Sequence, residues 1–571
     1  MRVLFQLTAA PGSEGSDESL ALASADKVSF SVDGRAVSVD DDGATLLEVL
    51  RDRLGLRSAK DGCSPQGQCG CCTVWIDGAA RVSCVTPVRR VDGRSVTTLE
   101  GLEPALLSVW TDAFTKAGAS QCGFCTPGII MRLAALGRRK PQFTSEDVAN
   151  GLAAHLCRCT GWRTIFEAAE SARADLGSGP GACGPTDDRG VGGRDMAAAS
   201  LRAEIEGRCN QKVGPLVAAG LGGFADDSAP PGALVAVPDS DSGWSVGGTL
   251  TEARRLSKKI QGRNSGARVG WPLEVPAGDW ALALQTTFVE PAYLEPDASW
   301  CAPGGEPASP VANGGAFGGK ANPVVTGAAS MLATKHGRAV RVLLSREDVV
   351  RLGPKRPPIA AGMRSDGSGE VRVGLTPGSG DISGWIDSFV SYAPRCNVEV
   401  VEIPGPPVAG EVRGAGWVEA GILSEAVRAS THAEGTGSVW TAEMTSPVGG
   451  RASVTVDKGT VRVSVDAGEV LDWVVLRSYC IGAVHQALGW VRSEAVAVDA
   501  SGQVLDLTIR SFGIMSAREM PRVEVELKGS DGPSVNVSDA VFAATAASAW
   551  IGAGLAPRWP LSETTARGDS R

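Results

Sequence analysis

The chain has 571 residues, of which 43% are hydrophobic and 21% charged, and a formal net charge of −9. That length supplies several buried cores, and the apolar-to-charged balance is that of a globular protein, neither fibrous nor wholly disordered. The acidic balance without a basic block argues against nucleic-acid partners, and no apolar run approaches the ~20 residues of a membrane-spanning helix.

Residues 1–27 carry a single Arg and a short apolar stretch, Val3 to Ala10, before turning polar at Gly12 to Asp17. The apolar part is too short for a secretory signal, so a flexible extension on a cytoplasmic chain is expected. Val28, Phe30 and Val32, then Val37 and Val39, alternate with polar residues around Asp33-Gly34, which predicts a hairpin. Helical periodicity follows from Thr45 to Leu54, with Thr45 as the expected N-cap. Next come the cysteine-rich loop Cys63-Ser64-Pro65-Gln66-Gly67-Gln68-Cys69-Gly70-Cys71-Cys72, a strand Thr73 to Ile76, a turn at Asp77-Gly78, and Cys84.

From Pro104 to Ala174 the pattern is helical, with apolar stretches Leu106–Phe114, Ile129–Leu136, Val148–Leu156 and Ile165–Ala172. These surround Cys122-Gly123-Phe124-Cys125 and Cys157-Arg158-Cys159. A Gly/Pro/Asp-rich stretch, Leu176 to Gly193, reads as a linker. Beyond residue 215 hairpin turns are expected at Asp366-Gly367, Asp457-Lys458-Gly459 and Asp499 to Gly502, and helices over Gly327–Lys335 and Ala540–Trp550. The fold expected is α+β multidomain. It comprises a flexible extension (1–27), a ferredoxin-like β-grasp domain (28–100), a four-helix domain (101–175), a linker (176–214) and a mixed α/β region (215–571).

The chain holds 14 cysteines, too long a scaffold for a small disulfide-stapled protein, and CxxC and CxC pairs in a large chain favour metal. Two quartets stand out: Cys63, Cys69, Cys72, Cys84 and Cys122, Cys125, Cys157, Cys159. Each could bind zinc through its four thiolates. A Gly-lined loop between helix and strand, following a ferredoxin-like hairpin, favours a [2Fe–2S] core in each instead, and two such cores make a path for single electrons. Cys71 is expected to point elsewhere. Cys183, Cys209, Cys301, Cys396 and Cys480 are expected as small buried hydrophobes.

Lys60-Asp61-Gly62-Cys63, Cys69 to Val74, Asp77-Gly78 and Ser83-Cys84 resemble the distal-cluster domain of the xanthine dehydrogenase/aldehyde oxidase family of molybdenum hydroxylases. Gln121 to Gly128 with Leu156 to Trp162 resembles its proximal-cluster helical domain. The likeness covers 28–175; the five-residue gap between Cys63 and Cys69 and Trp162 in place of Tyr are small departures. It implies that Gln121 contacts the pterin of a molybdenum cofactor. The remainder resembles the molybdopterin-binding subunit in pieces. Gly223 to Asp227 looks like its opening segment, Gly314-Gly315-Ala316-Phe317-Gly318-Gly319-Lys320 its glycine loop, and Arg413 a pocket-lining Arg. His485, in Gly482 to Gly489, is expected as a packed helix residue.

Three departures accompany this second likeness. The family's glutamate general base has no counterpart in Ser534 to Ala540, where Asp539 sits on the next helix. Tyr479 replaces a Gln, and the subunit is shortened between Pro296 and Asn313 and between Glu425 and Ser438. The resemblance implies two [2Fe–2S] clusters and a molybdopterin cofactor, with electrons passing to an FAD-binding subunit on another chain. It implies oxidation of a small-molecule substrate, an aldehyde or N-heterocycle. The alternative is an electron-transfer module whose degenerate C-terminal region docks a complete molybdenum subunit.

Overall fold

The structure is a computed structural model and describes residues 27–177, 193–240, 243–259, 268–321, 323–432, 439–528 and 531–561. Residues 1–26 of the expected flexible extension lie outside the described residues, as do Cys183 and part of the shortened stretch before Ser438, whereas Lys27, expected in that extension, opens the first strand.

Strands β1 (Lys27–Val32) and β2 (Arg35–Asp40) form the predicted hairpin, paired Val28↔Val39 through Val32↔Arg35. Asp33 and Gly34 take φ of 50° and 77°, as a two-residue turn matching strand twist requires. The Asp33 carboxylate accepts from the backbone N–H and hydroxyl of Thr98, fastening the turn beyond β5 (Ser95–Thr97). With β3 (Thr73–Ile76) and β4 (Ala79–Val82) these make a five-stranded sheet, β2-β1-β5-β3-β4. The expected Thr45 cap is present, its Oγ1 accepting from Glu48 at the start of α1 (Leu46–Glu48). Its continuation, Val49–Arg53, winds as a π-helix. Arg51 on that wider turn is buried, donating to the carbonyls of Arg57 and Ala59 and to Asp226 and Asp227.

Four helices follow: α2 (Pro104–Ala117), α3 (Thr126–Arg139), α4 (Ser145–Gly151) and α5 (Arg163–Gly177). Glu103 caps α2 with its side chain, while Pro104 in its first turn and Gly118 at φ 67° beyond its end are residue types those positions favour. Trp75 donates to the Met131 carbonyl at 2.8 Å, joining the sheet to α3.

Within the stretch expected to be a linker, residues 178–192 lie outside the described residues, but Met196–Gly207 forms a helix, α6. Asp195 caps it, and its charged letters are not solvated: Arg202 and Glu206 pair in a fully buried contact. The linker reading fails for 196–207 because charges that neutralise each other inside a core look in sequence like loop polarity.

Further helices are short at first: α7 (Pro215–Ala218), α8 (Ala225–Ser228) and α9 (Leu250–Leu256). Three four-stranded sheets make up most of the rest. One, β7-β6-β10-β9, contains Leu234–Pro238 (β6), Trp244–Gly247 (β7), Ala298–Cys301 (β9) and Val340–Leu343 (β10). The second, β13-β12-β11-β8, contains Leu282–Gln285 (β8), Ile359–Met363 (β11), Gly369–Leu375 (β12) and Cys396–Glu402 (β13). The third, β14-β15-β16-β17, contains Thr441–Thr445 (β14), Arg451–Asp457 (β15), Thr460–Asp466 (β16) and Arg522–Leu527 (β17). Hairpins turn at Asp366-Gly367 and Asp457–Gly459 as predicted, whereas Asp499–Gly502 closes only a bridge, Val498↔Val504.

Helices α10 (Val324–His336), α11 (Arg346–Leu352), α12 (Ser383–Tyr392) and α13 (Trp417–Ser430) pack around these sheets. At the centre lie α14 (Trp473–Arg492) and α15 (Ser538–Gly552), which are buried over almost their whole length, as helices apolar on every side must be. His485 is fully buried in α14, its Nε2 beside the Met515 carbonyl at 2.9 Å, the packed role expected. One continuous core includes Trp110, Trp162 and Ile165 of the cysteine-bearing helices together with Leu476, Ile481, Trp490 and Trp550. Among the described residues no helix is long and apolar enough to cross a membrane.

Candidate functional site

Cys63, Cys69, Cys72 and Cys84 are all buried and meet where the 62–72 loop folds over β3. Cys63 Sγ accepts backbone N–H groups from Gln68 at 3.2 Å and Cys69 at 3.3 Å. Hydrogen bonds from the Cys69 and Cys84 thiols hold Cys63 well below the usual thiol range, while Cys84, between Cys63 and Cys72, is pushed up. Thiols sharing protons in this way lie within reach of one another. Glycine permits the close fold: a β-carbon at Gly70, where φ is 77°, would strike the His155 ring, and one at Gly62 would stand 3.0 Å from Cys69 Sγ. Cys71, between two quartet members, is itself fully buried.

The second quartet is built from the start of α3 and the loop before α5. Cys122 Sγ and Cys159 Sγ are 3.7 Å apart. Two thiolates on one tetrahedral metal, with bonds of ~2.3 Å, stand about 3.8 Å from each other. Cys125 and Cys157 form the other pair, and the Cys125 thiol, then Thr160, lower Cys157 to about 7. Two sulfurs for each of two metals is the arrangement a diiron core takes. Among the described residues no group of three or more His, Cys, Asp or Glu side chains is placed to hold a metal ion. The Leu156 N–H donates to the Cys69 carbonyl at 2.9 Å, so the two quartets share a backbone contact.

Beside the second quartet lies a cavity of about 520 Å3, within the range of small-molecule and cofactor sites. Five residues that the family resemblance singled out line it, Gln121, Gly315, Ala316, Phe317 and Arg413, together with Cys122, Cys125 and Cys159. Gln121 Nε2 donates to the Cys159 carbonyl at 3.1 Å and to Ser478 Oγ at 2.9 Å. Both amide hydrogens are thereby used, which leaves Gln121 its carbonyl oxygen to offer the cavity.

Glycines again allow the approach, since β-carbons at Gly315, Gly318 and Gly482 would run into the carbonyls of Gly207, Glu411 and Cys159. Ala316, Phe317 and Arg413 have φ of 48°, 57° and 38°. Left-handed backbone costs a non-glycine residue on the order of 1–2 kcal/mol, and three such residues stand around this one cavity.

The Arg413 guanidinium lies over the Phe317 and Phe542 rings and donates to Gln486. Its Nε and Nη2, and Nε2 of Gln211, are buried without hydrogen-bond partners. Buried donors left unmatched cost about 1–3 kcal/mol each, so the wall suits a ligand rich in acceptor atoms. Asp539 on α15 also faces the cavity, ion-paired with Arg208 and, at 3.8 Å, with Arg413. Tyr479 donates to Gln211 Oε1 at 2.5 Å.

Sequence reading missed Glu206, Arg208, Cys209 and Gln211, which α6 and the residues after it carry to the cavity wall. The signal was Asp195 ahead of three alanines, a helix start. Cys209 is not the buried hydrophobe expected; it is half-exposed on the cavity wall, its thiol pushed up to about 11 by burial. Cys301, Cys396 and Cys480 are buried as expected.

These thiol pairs and the sheet-then-helices order define an iron–sulfur protein. Residues 98–170 match the model of a [2Fe-2S] binding domain. The xanthine dehydrogenase iron-sulfur-binding subunit of Escherichia coli O157:H7 is 46% identical over 127 residues, 22% of this chain and 78% of that protein. The nicotine 6-hydroxylase small subunit of Paenarthrobacter nicotinovorans is 41% identical over 153 residues, 27% of this chain and 92% of that protein. The aldehyde oxidoreductase of Desulfovibrio desulfuricans superposes with a TM-score of 0.67 at 16% identity, over 95% of this chain and 99% of that one, so the fold of nearly the whole chain is shared. The chain belongs to the xanthine dehydrogenase/aldehyde oxidase family of molybdenum hydroxylases, as its motifs led us to expect.

Proposed function

We propose that this chain is the electron-relaying oxidoreductase component of a molybdenum hydroxylase. Cys63, Cys69, Cys72 and Cys84 hold one [2Fe–2S] cluster, and Cys122, Cys125, Cys157 and Cys159 hold a second. The molybdopterin cofactor occupies the cavity beside Cys159. The observation carrying this is Gln121, which lines the cavity while hydrogen-bonded to the backbone of a quartet cysteine 3.1 Å away.

The residues present fit such a cofactor. The unmatched donors on Arg413 and Gln211 would suit the acceptor-rich pterin and its phosphate, the Gln121 carbonyl would accept from a ring N–H, and the Gly314–Gly319 loop would let backbone come close. When bound, the cofactor supplies two-electron oxidation of a carbon centre, and the clusters supply single-electron carriage. The chain's own groups orient and enclose. Arg413, stacked on Phe317 and Phe542, presents a fixed cation, and Asn313 holds the Cys122 carbonyl at 2.9 Å, keeping quartet and cavity in register.

The substrate is an aldehyde or N-heterocycle, and the electrons leave to a flavin on a separate FAD-binding subunit. The domain boundaries set out from sequence, apart from the linker over 196–207, and the cytoplasmic location belong to the same proposal. A second reading, a docking module with a non-catalytic cavity, draws on Asp539, the carboxylate nearest the expected base, being tied to Arg208 and Arg413. Molybdenum per isolated chain separates them: close to one supports the first reading, close to zero the second.

A further inference from the structure

A second cavity, of about 250 Å3, opens between the 61–65 loop and the segment 295–298. Its walls include Asp61, Asp226, Asp227, Arg254, Asp297 and Arg351, the last exposed, so this cavity reaches the surface. One residue, Glu295, lines both this cavity and the larger one beside Cys159. Its side chain is only 11% exposed, and the two carboxylate oxygens differ in use. Oε2 accepts from Lys320 Nζ at 2.9 Å, and Lys320 belongs to the larger cavity. Oε1 is buried and has no hydrogen-bond partner.

We propose that Glu295 is the proton-transfer residue joining the two cavities, taking protons released beside the cofactor and passing them to the second cavity and out to solvent. The inference rests on the function proposed above. Oxidising a C–H carbon with water breaks the C–H bond and forms a C–O bond, leaving two electrons and two protons. The electrons go to the clusters and on to the flavin acceptor; the protons need a separate exit. Elsewhere on the wall of the larger cavity, Arg208 and Arg413 are both ion-paired with Asp539.

At the septum the groups facing Glu295 are Lys320, Asp297 and Asp227, with Tyr293, hydrogen-bonded to Asp297, and Arg346, which donates to the neighbouring Leu294 carbonyl. Burial raises Glu295 to about 7, Lys320 pulling the other way, and a carboxyl poised there can both take and give a proton at neutral pH.

The test uses the full chain as purified with its cofactors, photoreduced by deazaflavin and EDTA, while infrared difference spectra and a pH-indicator dye follow carboxyl protonation and proton movement. Wild type is expected to show a protonated-carboxyl band that changes on reduction. Glu295→Gln should lose that band and slow proton movement about tenfold, with cluster bleaching unchanged; Glu295→Asp should keep both with a shifted band. Pterin fluorescence of the same sample separates the two failures. Pterin present with no carboxyl change, or with a band that survives in Glu295→Gln, overturns the relay alone; pterin absent overturns the relay together with the function it rests on.

Discussion

Arg158 and Glu494 meet in a buried, two-pronged ion pair, with hydrogen bonds of 2.5 and 2.6 Å, although they are 336 positions apart in sequence. Arg158 stands between Cys157 and Cys159, and its Nε also donates to the Pro291 carbonyl at 3.0 Å. The second cysteine quartet is therefore set by the C-terminal half of the chain, not by its own helices alone. Arginine suits this position because its planar fork meets both carboxylate oxygens at once.

Glu494→Ala leaves that guanidinium buried without a counter-charge. Breaking a buried pair from one side costs about 3–5 kcal/mol. The variant should melt markedly lower and lose the signal of the second cluster before that of the first, checked by calorimetry and EPR on the same preparation.

Cys122→Ser should remove one cluster only. The two quartets share no ligand, so iron should fall from about four atoms per chain to about two, given two per core. Quantitative iron analysis checks this; a loss of all iron would mean the quartets are not independent.

Gly482→Ala reverses a usual rule. In an exposed helix the change gains roughly 1 kcal/mol. Here the new β-carbon runs into the Cys159 carbonyl that Gln121 also holds. Overpacking of this kind costs about 1–3 kcal/mol. The expected outcome is a lower melting point with reduced pterin retention, read by fluorescence after denaturation.

The site was unevenly legible in sequence, for physical reasons. Thiol ligands must converge from short loops, so Cys63 to Cys72 and Cys122-Gly-Phe-Cys125 announce themselves by spacing, and Asp33-Gly34 announces its turn by backbone preference. The cavity wall is different. Glu206 sits on α6, with Arg208 and Gln211 just after it, in a stretch whose charges look solvated until their partners, Asp539 and the N–H groups of Val537 and Ser538, are in place. Asp539 and Tyr479 stood out in sequence as departures, and both prove to face the cavity. Long-range pairing of this sort leaves no local periodicity to read.

Glu295 adds a pH dependence with a definite sign. Its folded value, raised to about 7 by burial, exceeds its unfolded value of 4.5, so the folded state binds the proton more tightly between them. Its contribution to stability is whole below the unfolded value and is lost as pH rises through about 7. Denaturant melts from pH 5 to 8 should show that fall, and Glu295→Gln should flatten it.

The central claim is that two diiron centres lie in one chain, close enough to exchange electrons. EPR of the dithionite-reduced protein with spin integration tests it most directly. The account predicts two distinct half-spin signals summing to about two spins per chain, broadened by their mutual coupling. A single signal of one spin, or a silent protein loaded with zinc, would contradict it.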